Sequence, residues 1–434
     1  MNERVKKWAQ WIGFPVAALA VPTACGGLIA CGAAFFGTPG ALGAMALVAL
    51  LAAAFVLWGP GIFMEIFTKS LDEGPYRVSQ RAQALHRKLF VADMHADALM
   101  WRRDLLRRDR RGHVDVPRLI EGNVGLQIFT ATTKAPVGMN LEATPDNLDM
   151  MTALCIFQRW PRATWGSLKE RALYMGEKLH GFAEGSCGRL RILKNRADIE
   201  AYLVWRAENP ASTAGLLGIQ GAHALEGDLN NVDVFFDAGF RLIGLTHFFD
   251  NEVGGSAHGM QRNGLTEFGA DLVRAMEARS MIVDLAHAAP RLIDDVLALA
   301  AKPLMVSHTG VMGTLVTPRN LSDAHVKAIA ERGGIIGIGY WSEVVGPGGV
   351  DAVVRAMQYT VDLVGMDAIG LGSDFDGFVP EPFDTGGLAV LTEALLEAGF
   401  SENDTAKIMG GNLLRFLRRL WEGPAGEGAQ NDEG

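Results

Sequence analysis

Eight short apolar runs, the later ones separated by amphipathic helical stretches, follow one another from Phe90 onward and leave the chain few folds to choose from. The runs are Phe90–His95, Val124–Thr130, Leu216–Gly221, Arg241–Thr246, Met281–Leu285, Leu304–Ser307, Gly334–Gly339 and Ala368–Gly372. Between the later ones lie Leu265–Arg279, Pro290–Ala300, Asp323–Arg332 and Val350–Val364, with Leu388–Ala398 and Asn403–Leu417 after the last. Runs too short for helices that alternate with amphipathic helices are βα units, and such units pair into a parallel sheet. The chain is therefore α/β, and eight units suit a closed (β/α)8 TIM barrel, an open doubly wound sheet being the alternative. The stretch from Lys134 to Ala214 is too long for a simple loop and is expected to hold helices over Asn147–Arg159 and Leu168–Ala183.

The N-terminal part follows another rule. From Ile12 to Met64 no residue is charged, and Gly37-Thr38-Pro39-Gly40 divides the run into two stretches, each near the ~20 residues that span a bilayer. This predicts a transmembrane hairpin over about 12–36 and 41–64. A cleavable signal peptide is the rival, with Arg4, Lys6 and Lys7 before the apolar region, but it leaves the second run, Leu42 to Phe63, unexplained. Basic residues flank the hairpin on both sides, Lys69, Arg77, Arg81, Arg87 and Lys88 following it, so both ends are expected in the cytoplasm. The expected organisation is an anchor over 1–68, a juxtamembrane linker over 69–88, a barrel over 89–420 and a flexible tail over 421–434, in the inner membrane of a bacterium. Net charge is −9 with no Lys/Arg stripe, which argues against nucleic acid as a partner. The cysteines, Cys25, Cys31, Cys155 and Cys187, form neither a disulfide framework nor a CxxC metal site.

Barrel enzymes gather their chemistry at the C-terminal ends of the strands, and six of the eight runs here end in histidine or acid. His95 and Asp97 stand two apart at the end of the first strand, so their side chains share a side and one metal could take both. Imidazole with carboxylate suits zinc or a similar divalent ion. His287 and His308 end the fifth and sixth strands and are expected to complete a metal site. His247 ends the fourth and could be a ligand, a rim histidine or an electrophile that polarises a carbonyl, the last being favoured because four ligands are already supplied. Asp374, at the end of the eighth, can move a proton between an attacking water and a leaving amine, with Asp376 as the fallback. Arg319 could clamp a substrate carboxylate or stand as a solvated loop residue. His223 is read as a turn or supporting residue, Glu226 as part of the following helix, and His258 and His325 as surface or helix residues, none with a role in chemistry.

These residues occur in Asp93-Met94-His95-Ala96-Asp97, Leu245-Thr246-His247, Gly264-Leu265-Thr266-Glu267-Phe268-Gly269, Val283-Asp284-Leu285-Ala286-His287, Ser307-His308, Arg319-Asn320-Leu321-Ser322-Asp323 and Gly372-Ser373-Asp374-Phe375-Asp376-Gly377. In order and spacing the set resembles the membrane (renal) dipeptidase family of the amidohydrolase superfamily from Phe90 to Phe416. The resemblance implies a two-zinc barrel that hydrolyses dipeptides, tolerates a D-residue at the C-terminal position and works through metal-bound hydroxide. It places His95 and Asp97 on the first zinc and His287 and His308 on the second. His247 would bind substrate and polarise its carbonyl, Arg319 would meet the substrate carboxylate and Asp374 would handle protons; Asp376 is, apart from the resemblance, a further candidate for substrate contact. Where the family has a glutamate bridging the two ions, this chain has Gln220, which brings no negative charge to offset their repulsion, so one or two Zn2+ per chain are expected. The expected partners are a small peptide, membrane lipid at the hairpin and a second copy in a homodimer. The alternatives are a dipeptidase-like binding protein without turnover and an amidohydrolase acting on cyclic amides or lactones.

Overall fold

The computed structural model describes residues 38–39, 42–51, 61, 64–138, 140–146 and 148–422. Its strands are β1 (Val91–Ala96), β2 (Val124–Thr132), β3 (Leu190–Ile192), β4 (Thr213–Gln220), β5 (Phe240–Gly244), β6 (Ile282–Asp284), β7 (Met305–Thr309), β8 (Ile335–Ile338) and β9 (Ile369–Leu371). They are all parallel in the order β2-β1-β9-β8-β7-β6-β5-β4, and β2 pairs β4 from Leu126↔Ala214 to Thr132↔Gln220, which closes eight strands into a barrel. The short β3 lies outside the circle, beside the first residues of β4, on the edge that β5 takes over from Leu217. The eight expected strands are the eight of the barrel, and closure excludes the open sheet.

Local chemistry sets the helix boundaries. The helix expected from Leu265 starts at Glu267, because the Thr266 side chain accepts from the Gly269 amide at 3.0 Å and caps it. Asp115 caps Val116–Glu121 in the same way, and Pro117 sits in its first turn. The expected Asn403–Leu417 helix is interrupted: Glu402–Ala406 passes through a wide turn at Lys407–Gly411 into Asn412–Leu420. Gly410 lies so close to β1 that a Cβ there would be 2.1 Å from the Phe90 carbonyl oxygen, a contact that a regular helix with a side chain could not make. Within the long insertion the expected helices occur as Met150–Phe157 and Leu168–Gly185, joined by Arg196–Glu208, which the sequence reading did not include.

The transmembrane hairpin expected over about 12–36 and 41–64 falls for the most part outside the described residues, as does the tail beyond 422. Among the described residues no helix is long and apolar enough to cross a membrane.

Period-two alternation sorts the barrel strands into two cores. Ala92, Met94, Leu126, Ile128, Leu216, Leu242, Ile282, Met305 and Ile335 form one cluster, closed by Leu413, Phe416, Leu417 and Leu420 of the last helix. Phe129, Leu217, Ile219, Ile243, Val283, Val306 and Ile336 belong to the cluster shared with the surrounding helices. The inside of the lower barrel is thus packed hydrocarbon, and buried histidines gather at its C-terminal rim.

Candidate metal centre

Two strand irregularities prepare this rim. The β1–β2 register shifts between Asp93 and Ala96, and the β7–β8 register shifts between Val306 and Thr309. Met94 belongs to the inner cluster, yet its neighbour His95 also faces the barrel axis, within 3.2 Å of the Thr130 hydroxyl. A regular strand alternates sides, so the irregularity is what lets the consecutive residue turn inward. His287 and Asp374 both sit at φ 63, a left-handed conformation that costs ordinary residues energy and recurs where side-chain aim matters.

The donor atoms gather into two adjoining groups. In the first, His95 Nε2 is 3.6 Å from Asp97 Oδ1 and 3.6 Å from Asp374 Oδ1. In the second, His287 Nε2 and His308 Nε2 are 2.9 Å apart, with Gln220 Nε2 at 3.2 and 3.4 Å from them. His308 also approaches the first group: a nitrogen of His95, one of His308 and a carboxylate oxygen of Asp374 all lie within 4.8 Å of one another. Ligands on a tetrahedral zinc with bonds of 2.0–2.1 Å are separated by about 3.3 Å, so both groups have ligand-like spacing.

Supporting hydrogen bonds fix how these atoms are presented. The Ser307 hydroxyl donates to Asp284 Oδ2 at 2.6 Å and therefore accepts from His308 Nδ1 at 2.9 Å, which leaves His308 Nε2 with a bare lone pair. Asp97 Oδ1 accepts from the Thr130 and Thr132 hydroxyls, each at 2.7 Å. Thr132 Oγ1 also lies 2.6 Å from Gln220 Oε1. One hydroxyl proton cannot serve both acceptors. Turning the amide over, a choice heavy-atom positions leave open, lets Gln220 Nε2 donate to Thr132 while its oxygen faces His287 and His308. That orientation offers a cation three donors.

The electrostatics of the second group agree with metal binding. Burial, helped by Arg319, holds His287 and His308 well below the usual histidine range, in the neutral form that ligates. Burial pushes Asp97 up, but the neighbouring His95 and the hydrogen bonds from His95, Thr130 and Thr132 outweigh it and keep its carboxyl low. Asp374 is pushed up to about 8, mainly by burial. His247 is brought down to about 4, again by burial, and its Nδ1 donates to the Lys134 carbonyl at 3.0 Å. The neutral ring consequently shows Nε2 to the pocket as an acceptor. Polarising a carbonyl, the electrophilic role expected from sequence, needs a donor.

One cavity is lined by Asp97, Gln220, His247, His287, Arg319 and Asp374. Arg319 is buried rather than solvated; its guanidinium donates to the His308 carbonyl, and its Nε has no partner. Asp376 does not reach the cavity. It is fully buried, ion-paired with Arg103 and bound to the His113 amide at 2.7 Å, which corrects its reading as a substrate contact. His258 is likewise no surface residue: it is buried beside the cavity, stacked on Phe248, with Nδ1 on the Leu141 carbonyl. His325 lies in the first turn of Asp323–Glu331, and His223 is buried with both ring nitrogens unpartnered. Glu226 precedes the next helix, and its carboxylate instead receives the Leu168 and Lys169 amides of another. Thr130, Thr132, Asp284 and Ser307 were missed from sequence; the period-two Thr-Ala-Thr ending β2 was the available signal. A larger cleft of about 520 Å³ at the other end of the barrel, lined by Gly333, Ile335, Asp367 and Arg419, is remote from all these groups.

Known proteins place the chain further. A family model described as membrane dipeptidase (peptidase family M19) matches residues 79–423. The dipeptidase tcpJ of Claviceps purpurea is 28% identical over 325 residues, 72% of this chain and 70% of that protein. An uncharacterised protein from the pqqA 5' region of Klebsiella pneumoniae is 31% identical over 252 residues, 55% of this chain and 91% of its own length. Among solved structures, a metallo peptidase from Rhodobacter sphaeroides, liganded with a phosphinate mimic of the dipeptide L-Ala-D-Ala, superposes with a TM-score of 0.63 at 26% identity, covering 77% of this chain and 99% of that one. A dipeptidase of family M19 gives the same TM-score, identity and coverage.

Proposed function

We propose, since the chain belongs to the membrane dipeptidase family (peptidase family M19) and is a metal-dependent dipeptidase, that it cleaves small dipeptides at the rim site with one firmly held zinc ion. His95 and Asp97, the carboxylate held low, would hold that ion, with His308 and Asp374 alongside. His287, His308 and Gln220 would hold a second ion more weakly, because their side chains bring no anion to screen two like charges. A bound divalent ion supplies Lewis-acid polarisation of the scissile carbonyl and acidifies the attacking water.

The remaining work falls to the chain's own groups. Arg319, charged at neutral pH and with a free Nε–H, binds the substrate carboxylate. His247 Nε2 accepts a hydrogen bond from a substrate N–H and so positions the peptide rather than polarising it. Asp374, whose carboxyl burial pushes up to about 8, is poised to give a proton to the leaving nitrogen and, once it has done so, to take one back from the attacking water. A D-residue at the C-terminal position is proposed from the L-Ala-D-Ala mimic bound by the Rhodobacter relative. Membrane anchoring through the N-terminal apolar run is proposed as well; in its support, Leu42, Met45, Leu47, Leu50 and Leu51 are all exposed.

The observation that carries the reading is the convergence of His95, His308 and Asp374 at the rim. The test measures zinc per chain and hydrolysis of L-Ala-L-Ala and L-Ala-D-Ala by the detergent-purified protein. One ion with turnover of both supports it; a metal-loaded protein that cleaves neither supports the binding-protein alternative.

A further inference from the structure

Barrel loops alone do not build the cavity above the metal centre. Ile66 and Phe67 also line it, and they belong to a helical turn, Met64–Phe67, that follows directly on the charge-free apolar run. The turn is firmly seated. Met64 is buried, the Thr68 amide and hydroxyl both donate to its carbonyl at 2.8 Å, and Glu65 pairs with Arg110 at 2.9 Å. Beyond it the chain runs beside the loop after β9: the Leu71 amide donates to the Glu381 carbonyl (2.8 Å), the Asp72 amide to the Pro382 carbonyl (3.1 Å) and the Glu381 amide to the Lys69 carbonyl (3.2 Å). That loop carries Phe378, Val379 and Pro380, which face the same cavity. The Phe67 ring stands edge-on to Phe378 at 5.7 Å, and Phe378 rests on Trp101 at 5.1 Å.

One cavity thus combines a polar floor with an apolar wall drawn from two distant segments pinned together by backbone hydrogen bonds. A floor of metal-binding and charged groups orients a peptide's backbone and termini, while an aliphatic and aromatic wall offers nothing to them and favours hydrocarbon. Ile66, 52% exposed, keeps apolar surface in water that a bound side chain would cover.

We propose that this wall receives an apolar side chain of the dipeptide and that Phe67, supplied from outside the barrel, is a specificity-determining residue that favours bulky apolar dipeptides over small ones. The proposal rests on the dipeptidase reading above.

The experiment compares the full-length, zinc-loaded protein in detergent with its Phe67→Ala and Phe67→Leu variants on L-Ala-L-Ala and L-Leu-L-Leu, with a thermal melt of each. The expected result is a loss of about tenfold or more in kcat/KM for L-Leu-L-Leu in Phe67→Ala, carried by KM. L-Ala-L-Ala should stay within about twofold, and Phe67→Leu should recover most of the loss, as replacing one apolar surface with another predicts. An equal loss on both substrates would assign Phe67 a structural role, and unchanged discrimination would remove it from the pocket; either overturns the proposal. Failure of the unmodified protein to cleave L-Ala-L-Ala is a separate outcome that overturns the dipeptidase reading itself.

Discussion

On the function proposed above, Gln220 stands where one charge would decide the metal count. Its side chain lies 3.2 and 3.4 Å from two imidazole nitrogens and 2.6 Å from Thr132. Gln220→Glu keeps the shape and adds an anion there, so the zinc content of the purified protein should rise from one toward two per chain, read by elemental analysis. A ratio that stays at one would show that the amide is not what limits the second ion. Glu381 presents the opposite case, a buried carboxylic acid with no partner for either oxygen among the described residues, pushed well above its usual range by burial and then by Asp374 and Asp93. Its native pKa exceeds the unfolded value, so the folded chain holds a proton that the unfolded chain releases above about pH 4.5. Stability is consequently lost as pH rises from there, by about 1.4 kcal/mol per pH unit until the native pKa is reached. Glu381→Gln should raise Tm at pH 8 and have little effect near pH 4, as calorimetry at the two pH values would show. The candidate ligands that meet at the rim were legible in the sequence because each lies at the end of an apolar strand. Asp376 was misread because it follows Asp374 by only two residues, whereas left-handed turns at both positions (φ 63 and 66) separate them in space. His258 was misread because it lies in a glycine-rich stretch without periodicity, and what buries it comes from around Leu141, far away in sequence.

At the level of elements, the site depends on strands standing unusually close together. A Cβ on Gly337 would lie 2.1 Å from the Ser307 carbonyl oxygen and one on Gly372 2.2 Å from it, so β7 is gripped at the residue that orients His308. Gly372→Ala is expected to destabilise the protein by about 1–3 kcal/mol, as overpacking a tight core does, and to weaken zinc retention in a chelator titration. A variant that melts earlier but keeps its zinc would separate packing from metal geometry. Apolar runs revealed these strands because they are buried on both faces and read as continuous hydrocarbon. The break at Lys407–Gly411 was invisible because the 3.6-residue apolar spacing continues through it, and only its approach to β1 requires the interruption. The three-residue β3 was too short to stand out from the loops around it.

For the whole molecule, the barrel has a core of its own, to which the described end of the apolar run contributes Met64. The inner cluster is closed by the last helix, and the segment Met64–Asp72 is tied to the barrel by backbone hydrogen bonds to Glu381 and Pro382 and by the Glu65–Arg110 pair. Deleting residues 1–60 should therefore abolish flotation with phospholipid vesicles while leaving L-Ala-L-Ala hydrolysis close to the full-length rate. Continued flotation would locate the lipid contact on the barrel instead. Closure itself joins the first strand to the last, with Asp93 paired to Leu371 and Ala96 bridged to Phe375. During synthesis the ribosome delivers His95 and Asp97 early and Asp374 almost at the end, and that seam cannot form until the final strand has emerged. Each nascent chain accordingly waits, with β1 unpaired on one edge, through most of its translation, and such long-range parallel pairing is slow. On the assignment proposed above, a metal would meet the complete rim site only after that seam has formed, so loading would be the last step of maturation and a direct readout that the fold is finished.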